Sequence, residues 1–302
     1  MTASKKLTVL ITGCSPGGMG AALATTLHQA GHHVYATARN PSKLASLAEQ
    51  GIRTLPLDVT DSSSIGSAVA VVSFSLPEGK GLDMLINNAA GSYSMPISDA
   101  SLDAARSLFD VNVWAHVAVS QAFLPLLLKA AGGASAHATI VNHTSVGSMA
   151  ALPFQGIYNA SKAALAMLSE TMRLELAAFN IRVVDLKTAG VSTNIVANSS
   201  YNAGGQRLPE GSIYEPAREV VEKAMSQEDL LTSGRTMPAE QWAEEVVRLL
   251  TGKSAPPAVI WKGEGAGMAR GALMMPCNVM EGFLKKLTGL DVVEGIIREA
   301  RR

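Results

Sequence analysis

A buried strand that runs directly into a glycine-rich turn is the feature that most constrains the fold of this chain. Residues 7–12 are apolar and typical of a buried strand, a helix is predicted from about Ala21 to Ala30, and residues 13–20 between them contain four glycines. In such a unit, backbone N–H groups and the helix dipole receive a dinucleotide pyrophosphate. We therefore predict that the turn binds the phosphates through Gly13, Ser15, Gly17, Gly18, Met19 and Gly20.

The same alternation of strand and helix continues along the chain. Strands are predicted near 7–12, 33–38, 52–58, 83–87, 138–144 and 181–187, with helices in the gaps. This order is typical of an α/β protein, and we expect a single-domain Rossmann fold, a doubly wound parallel sheet with helices on both faces. A glycine loop that binds no nucleotide is the alternative, and this setting disfavours it. A chain of 302 residues is long enough for one large core.

A tyrosine and a lysine lie one helical turn apart, and a serine precedes them. Tyr158 and Lys162 are four residues apart, and Ser145 lies thirteen residues before Tyr158, at the end of a strand-like run. Because residues four apart share a helix face, the ammonium is expected to lower the pKa of the phenol from its ordinary value of about 10. Ser145 can hydrogen-bond the same substrate oxygen. One Tyr-x3-Lys pair can arise by chance, so its surroundings carry the assignment.

Together these residues resemble the short-chain dehydrogenase/reductase family over about residues 7–195. The Asn-Asn-Ala segment after the fourth strand matches the family segment at the adenosine side of the cofactor pocket, which assigns Asn87 and Ala89 to that role. Asn112 matches the asparagine that anchors a water in the family's proton relay, and the serine, tyrosine and lysine match its other catalytic positions. The resemblance also implies that Tyr158 and Lys162 contact the cofactor, Lys162 at the nicotinamide ribose.

Two segments depart from the family pattern. Val191 and Thr193 match the segment that holds the nicotinamide carboxamide, although Ala189 stands where the family usually has proline. In the glycine turn, four residues instead of three separate Gly13 from Gly18, which leaves open which turn residues contact phosphate.

The second half of the chain is similar to one branch of the family, the fungal NADPH-dependent 1-acyldihydroxyacetone-phosphate reductases. The similarity rests on residues 212–216 and 236–240. Related proteins include carbonyl reductases of specialised metabolism, so the resemblance implies reduction of a ketone or aldehyde, on a lipid phosphate or on a neutral metabolite. Epimerase or dehydratase chemistry on the same scaffold, and a non-catalytic NADPH-sensing regulator, are the alternatives.

The second strand predicts which phosphate form of the cofactor binds. An NAD site usually places an acidic residue about 20 residues past the glycines, but the first acidic residue here is Glu49. Arg39 ends the second strand and Lys43 follows it, and a guanidinium suits a 2′-phosphate. NADPH/NADP+ is therefore expected, with a solvated Arg39 as the alternative. Asp58, with Val59, faces the adenine by resemblance; otherwise Asp58 caps the next helix.

Composition excludes several classes of function. Formal net charge is zero and 17% of residues are charged, which argues against a nucleic-acid binder. Two cysteines fit a reducing compartment, and six scattered histidines without ligand spacing predict no metal site. No signal-peptide stretch precedes the first strand, so we expect a cytoplasmic protein, at most peripherally bound to endoplasmic reticulum or lipid droplets. We expect a homodimer or homotetramer with a small-molecule carbonyl substrate.

Within one domain of residues 1–302, we expect a dinucleotide-binding and catalytic core at 7–193, a substrate lid at 194–240 and a C-terminal extension at 255–302. The lid contains a predicted helix from Glu215 to Glu228. Four cations in it could bind a phosphate, namely Arg207, Arg218, Lys223 and Arg235. Six nearby carboxylates oppose them. A solvated helix is the alternative. The methionine-rich extension is interrupted too often for a transmembrane span and could pack on the pocket, contact a subunit or lie on a membrane.

Overall fold

A seven-stranded parallel sheet forms the centre of the protein in a computed structural model, whose described residues are 5–133, 136–194, 207–227, 236–272 and 277–302, the side chains of 277–279 excepted. The strands are β1 (Thr8–Ile11), β2 (His33–Ala38), β3 (Arg53–Pro56), β4 (Met84–Asn87), β5 (Ala138–His143), β6 (Ile181–Thr188), β7 (Val191–Ser192), β8 (Met237–Pro238) and β9 (Val259–Lys262). Their order is β3-β2-β1-β4-β5-β6-β9, and β7 pairs with β8 in a small second sheet. The predicted Rossmann fold is confirmed.

Helices cover both faces of the sheet. They are α1 (Met19–Gln29), α2 (Ala45–Glu49), α3 (Ser62–Ser75), α4 (Leu102–Phe109), α5 (Ala115–Ala131), α6 (Gly156–Leu176), α7 (Arg218–Ser226), α8 (Ala239–Leu250), α9 (Ala266–Ala272), α10 (Cys277–Thr288) and α11 (Leu290–Ala300). On one face α1 and α8 bury Leu23, Leu27 and Trp242 against the strands. On the other, α3, α5 and α6 bury a second apolar cluster that includes Val72 and Phe123. Burial on both faces explains the continuous apolar strands.

The order in which strands are added to the sheet reverses beside β1. Strands β2 and β3 lie on one side of β1, and β4, β5, β6 and β9 lie on the other. All neighbouring pairs are parallel, so the loops after the strands meet at one edge of the sheet. In open α/β sheets, ligands bind at this edge, at the point of reversal. The glycine turn follows β1 there.

The six predicted strands are all present, with ends that differ by at most two residues. Helix α1 begins at Met19, two residues before its predicted start. Helix α3 is capped by Asp61, whose side chain accepts a hydrogen bond from Ser63 N, so Asp58 is not its cap. The helix predicted from Glu215 is a 3₁₀ turn followed by α7, and Glu228 lies outside the described residues.

One strand of the central sheet lies outside the sequence prediction. Residues 259–262, within the span predicted to be a C-terminal extension, form β9, which pairs with β6 from Asp185 to Thr188. Residues 102–131 form one long apolar helical stretch, long enough to cross a membrane by length and composition, with half of its most apolar window buried. Because α5 packs Val119, Phe123 and Leu127 against the sheet, this stretch is a core helix of the domain.

Candidate active site

Ser145, Tyr158 and Lys162 meet at the carboxyl edge of the sheet. Ser145 follows β5 and caps a short 3₁₀ turn at 146–148, where its Oγ accepts a hydrogen bond from Gly147 N at 3.0 Å. Tyr158 lies in the first turn of α6, close enough to the Ser145 hydroxyl for that group to act on the pKa of its phenol. Lys162 follows one turn later on the same helix. The predicted trio is therefore assembled around one point.

The Lys162 ammonium is buried and held by the end of β5. Its Nζ donates a hydrogen bond to the His143 carbonyl at 2.8 Å and lies 6.0 Å from the centre of the Tyr158 ring. Burial lowers the pKa of Lys162 to about 8, and the carboxylate of Asp185 opposes that effect. A lysine with this pKa exchanges protons near neutral pH, which suits a proton relay.

The pKa of Tyr158 departs from the sequence prediction. The lysine was expected to lower it, but burial of the phenol among apolar side chains raises the pKa above 10, and the Ser145 hydroxyl only partly offsets this. The ammonium donates its hydrogen bond to a carbonyl instead of to the phenol, which explains the difference. A raised pKa keeps the phenol protonated at neutral pH, as a general acid requires.

Asn112 lies in a π-helical turn, Asp110–Trp114, between α4 and α5. Its Oδ1 accepts from Gly91 N at 2.8 Å, and its Nδ2 donates to Gly91 O at 3.1 Å and to Ser161 Oγ at 3.0 Å. Both amide hydrogens are therefore used in joining the loop after β4 to α6. π-Turns inside helices often occur at functional sites. The water-anchoring role implied by the family stays a prediction.

Close backbone approach in the glycine turn leaves no room for side chains. Gly13 and Gly17 have φ values of +74° and +69°, which favour glycine. A Cβ on Gly13 would lie 2.8 Å from Ala89 Cα, and a Cβ on Gly20 would lie 2.5 Å from the Gly13 carbonyl oxygen. The turn thus packs against the segment after β4, which positions predicted cofactor residue Ala89 beside it.

The first turn of α1 is free to receive an anion. Gly18 is the N-cap of α1 and offers no side-chain cap, and no acidic residue lies in the first turn, which begins at Met19. The Gly18 N–H is used by the Ser15 carbonyl at 3.2 Å, so the following N–H groups are the ones that point toward a phosphate. This geometry fits a dinucleotide pyrophosphate and clarifies the path of the lengthened turn.

We predict that Gly20→Ala lowers the midpoint of thermal unfolding and weakens NADPH binding. The added methyl meets the Gly13 carbonyl and Asn88 Nδ2, each at 2.5 Å, and overpacking of this kind costs about 1–3 kcal/mol. Gly66→Ala is the control, since nothing lies within 4 Å of a Cβ added in α3 and the helix should gain about 0.5–1 kcal/mol. Thermal denaturation with and without NADPH measures both; equal midpoints for the two variants would contradict the prediction.

The segment after β4 presents a different asparagine from the one predicted. The Asn87 side chain points to the interior, where Nδ2 donates to Ser120 Oγ and Asn142 Oδ1, each at 2.9 Å. Asn88 points to the glycine turn, where Nδ2 donates to Gly13 O at 3.0 Å. Because side chains alternate along a strand, only one of the two can face each side. The side chain beside the cofactor turn is that of Asn88, which the sequence analysis left unassigned.

His143 joins the end of β4 to the end of β6, and the sequence analysis gave it no role. Its Nδ1 lies 2.9 Å from Asn88 Oδ1 and its Nε2 lies 2.7 Å from Thr188 Oγ1, and its ring stacks on Trp242 with 5.3 Å between centroids. Burial, and then the charge of Lys162, lower its pKa well below 6.5. A neutral ring with hydrogen on Nδ1 satisfies the amide oxygen. His143 thus ties the ends of β4 and β6 together.

His116 joins α5 to the loop after β4. Its Nε2 lies 3.0 Å from Ala89 O, so it donates to that carbonyl. Burial, together with the charge of Lys162, lowers the pKa of His116 to about 3. It is a buried packing residue on α5.

Arg39 extends from the end of β2 into solvent. It makes no hydrogen bond or salt bridge with another part of the chain that the structure describes, and its charge contributes to lowering the pKa of Asp58. Asp58 Oδ1 accepts from Thr60 N and Oγ1 at 2.9 and 2.7 Å, which is the main cause of that lowering. Val59 is buried in the core. An exposed, uncommitted guanidinium beside the site suits an anionic ligand.

The segment after β6 lies over the glycine turn. Val191 belongs to β7, and Thr193 follows it. Asn194, next in sequence, donates from its backbone N to Gly17 O and from Nδ2 to Pro16 O, each at 3.1 Å. The segment predicted to bind the phosphates and the segment predicted to hold the nicotinamide carboxamide are therefore in direct contact at Asn194, another residue that the sequence analysis missed.

An apolar cluster covers the other side of Tyr158. It contains Tyr93, Met95, Leu108, Phe154, Leu208, Ala217, Val221, Met225 and Val293, with Ile157 and Tyr214 packed against it. The ring of Phe154, whose φ is +63°, meets Tyr214 edge to face at 6.1 Å. Val293 belongs to α11, so this last described helix packs on the cluster, whereas the arrangement predicted for the methionine-rich stretch before it stays a prediction.

The cations of the predicted lid are compensated by carboxylates where the structure describes them. Arg218 binds Glu222 at 2.9 Å, Glu215 at shorter range and the carbonyls of Leu208 and Pro209 at 2.7 and 3.0 Å. Arg207 lies 4.0 Å from Glu222. Lys223 lies on α7, and Arg235 and most of the glycine-rich lid segment lie outside the described residues. These arginines are poorly placed to bind a substrate phosphate.

In the part of the chain that the structure describes, neither a reactive thiol nor a metal centre lies beside the trio. Cys14 is buried, and desolvation raises the pKa of its thiol to about 12, so it is an unreactive packing residue. The side chain of Cys277 is not among those described. Over residues 5–133, 136–194, 207–227, 236–272 and 277–302, no group of three His, Cys, Asp or Glu side chains could hold a metal ion.

Comparisons with known proteins place this geometry among relatives. The short chain dehydrogenase family model matches residues 7–204. A short-chain dehydrogenase/reductase of Pestalotiopsis microspora is 50% identical, over 98% of this chain and 99% of that protein. The NADPH-dependent 1-acyldihydroxyacetone phosphate reductase of Schizosaccharomyces pombe is 36% identical, over 93% and 94%. The solved structure of an NADPH-bound carbonyl reductase from chicken fatty liver has a TM-score of 0.62 and 26% identity, over 83% and 93%.

Proposed function

The chain belongs to the short-chain dehydrogenase family, and from that premise we propose that it is an NADPH-dependent reductase that converts a ketone or aldehyde to an alcohol. The observation that carries the proposal is the assembly of three groups at one edge of the sheet: the Ser145 hydroxyl acts on the Tyr158 phenol, and the buried Lys162 ammonium lies one helical turn away. A carbonyl oxygen placed between the two hydroxyls would accept a hydrogen bond from each.

In the proposed reaction, Tyr158 donates a proton to the substrate oxygen as negative charge develops on it, and Ser145 orients that oxygen. NADPH, when bound, supplies the hydride. Lys162 stabilises the phenolate left on Tyr158 and delivers the replacement proton, which its pKa of about 8 favours. The apolar cluster beside Tyr158 excludes water, which strengthens these electrostatic interactions.

NADPH is proposed over NADH because of Arg39. The guanidinium is exposed at the end of β2, and a fork of N–H donors suits a ribose 2′-phosphate. Support also comes from relatives: the Schizosaccharomyces pombe reductase is described as NADPH-dependent, and the chicken carbonyl reductase was solved with NADPH bound.

The substrate proposed first is a neutral, largely apolar ketone or aldehyde. Tyr93, Met95 and Phe154 surround the phenol, whereas Arg218 is committed to carboxylates and carbonyls. An acyl dihydroxyacetone phosphate is kept as the second candidate because of the 36% identical relative that acts on it. The acyl chain would suit the apolar cluster, and its phosphate would need cations other than Arg207 and Arg218.

We predict that kcat/KM for carbonyl reduction is level through neutral pH and falls above pH about 8. Burial lowers the pKa of Lys162 to about 8, so the charged form that supports Tyr158 is present below that pH and is lost above it. The raised pKa of Tyr158 keeps the acid protonated over the same range. A profile of kcat/KM against pH checks this; activity that rises through pH 8 would contradict it.

The function is tested by incubating purified protein with NADPH and a panel of neutral ketones, aldehydes and acyl dihydroxyacetone phosphate. Cofactor absorbance and product are followed together. Stoichiometric NADPH consumption with alcohol formation supports the reductase. Product formation without consumption indicates an epimerase or dehydratase, and NADPH binding with no turnover on any substrate indicates a sensing regulator. Either of these results overturns the proposal.

A further inference from the structure

A buried ion pair lies directly behind the catalytic serine. Asp185 and Lys187 are two residues apart on β6 and therefore face the same side of the sheet. Lys187 Nζ lies 2.7 Å from Asp185 Oδ2, and both side chains are at most one-tenth exposed. The ring of Trp261 on β9 covers the ammonium at 5.7 Å from its centroid. Removing two charges from water is costly, so a pair buried this deeply requires good partners.

The partners of the pair are the two residues that flank the Ser145 turn. The Thr144 hydroxyl donates to Asp185 Oδ1, and Lys187 Nζ donates to Ser148 Oγ at 2.8 Å. Ser148 N in turn donates to the Ser145 carbonyl at 2.9 Å. The residue before Ser145 is thus held by the carboxylate and the residue three positions after it by the ammonium. This fixes both ends of the turn on which the Ser145 hydroxyl is presented.

The same carboxylate acts on the catalytic lysine. Lys162 Nζ binds the carbonyl of His143, the residue before Thr144, and Asp185 is the charged group that opposes the loss of its proton. The titratable groups coupled to Lys162 come from three neighbouring elements and from its own helix. They are His116 on α5, His143 on β5, Tyr158 on its own helix α6, and Asp185 on β6, which is paired with Lys187. The two histidines are neutral, because burial lowers the pKa of each.

We infer that Asp185 and Lys187 are positioning residues of the active site: they hold the turn that presents the Ser145 hydroxyl, through Thr144 on one side and Ser148 on the other. This inference rests on the proposed reductase function. Both residues act through others, since the contacts described above run to Thr144 and Ser148 and not to the reacting hydroxyls.

The two halves of the pair should shift the pH profile in opposite directions. Asp185→Asn keeps the shape and removes the negative charge that favours the charged form of Lys162, so the alkaline limb of kcat/KM should move down by about one pH unit. Lys187→Met removes the ammonium that partly neutralises the Asp185 carboxylate. The carboxylate should then favour charged Lys162 more strongly, so the alkaline limb of kcat/KM should move up by a similar amount. The double variant Asp185→Asn/Lys187→Met should lie near the wild type. A purely structural pair would lower kcat without opposite shifts.

Two further variants separate positioning from charge. Thr144→Val removes the hydroxyl that binds Asp185 without changing charge, so kcat should fall about tenfold or more while the alkaline limb stays in place. Lys262→Met is the matched control. It breaks another lysine–carboxylate pair, between Lys262 on the neighbouring strand β9 and Glu245 on α8 at 2.7 Å, and it should leave the alkaline limb unmoved. Circular dichroism and thermal unfolding confirm that each variant is folded.

The outcomes are distinct. A wild type that reduces no carbonyl with NADPH overturns the proposed function before any variant is made. With an active wild type, limbs that stay in place or move together in Asp185→Asn and Lys187→Met overturn the charge balance, and an unchanged kcat in Thr144→Val overturns the positioning. If Asp185→Asn does not fold, the upward shift in Lys187→Met is decisive by itself, because loss of fold cannot produce it.

Discussion

Replacing Tyr158 with phenylalanine should lower kcat by roughly 10²- to 10⁴-fold, the usual contribution of a general acid, while NADPH affinity changes little. The substitution removes one hydroxyl and keeps the ring, which packs in the apolar cluster beside Phe154 and Tyr214. Single-turnover rates measure the chemical step, and quenching or enhancement of cofactor fluorescence measures binding separately.

Tyr35→Phe is the matched control for this experiment. It deletes the same atom at a buried site on β2, where the hydroxyl binds Ser75 Oγ at 2.5 Å and Arg53 at 2.7 Å, far from the trio. It should reduce stability with kcat unchanged. Full turnover in Tyr158→Phe would remove the phenol from the mechanism, and equal losses of kcat in both variants would mean that the effect is structural.

Arg39→Asp should lower the ratio of kcat/KM for NADPH to that for NADH by about 10²- to 10³-fold. Loss of a charged hydrogen bond costs about 1.5–3 kcal/mol, and repulsion between the new carboxylate and the 2′-phosphate adds to it. The carboxylate can also accept from the ribose 2′-hydroxyl of NADH, as it does in NAD sites. Kinetics with each cofactor, at low and high salt, check the prediction.

Arg248→Asp is the matched control, because it makes the same charge change at a site away from the glycine turn. Arg248 is exposed in the last turn of α8, at the edge of the sheet opposite the glycine turn. It should leave the cofactor ratio unchanged. If Arg39→Asp also leaves the ratio unchanged, the 2′-phosphate is bound by other residues and the assignment of Arg39 is wrong. Since exposed charges are screened, the effect should decline as ionic strength rises.

Local patterns were sufficient to predict most of the fold. Each of the first six strands is a short apolar run, and β1 is followed at once by glycines that the backbone requires, as the φ of +74° at Gly13 illustrates. Strand β9 escaped prediction because it has only four residues and only Ile260 is buried. An edge strand packed on one side carries a weak hydrophobic signal.

The parts of the site that were not foreseen depend on contacts between distant segments. Ser145, Tyr158 and Lys162 could be chosen from spacing, since the serine ends a strand and the other two share a helix face. The direction of the pKa shift of Tyr158 could not, because it depends on burial supplied by α7 and α11. Likewise, whether Asn87 or Asn88 faces the glycine turn depends on strand register, and a shift of one residue exchanges their sides.

Helix α11 makes the apolar side of the active site depend on a segment that is translated after the sheet and the catalytic helix. During synthesis, the nucleotide-binding sheet and the catalytic helix can fold before Val293 arrives to close the cluster. A shortened product that ends before α11 would therefore retain an ordered cofactor site, but the Tyr158 phenol would be exposed to water. Such a product would bind NADPH yet allow water to compete for the acid, so intact cofactor binding is no measure of an intact enzyme.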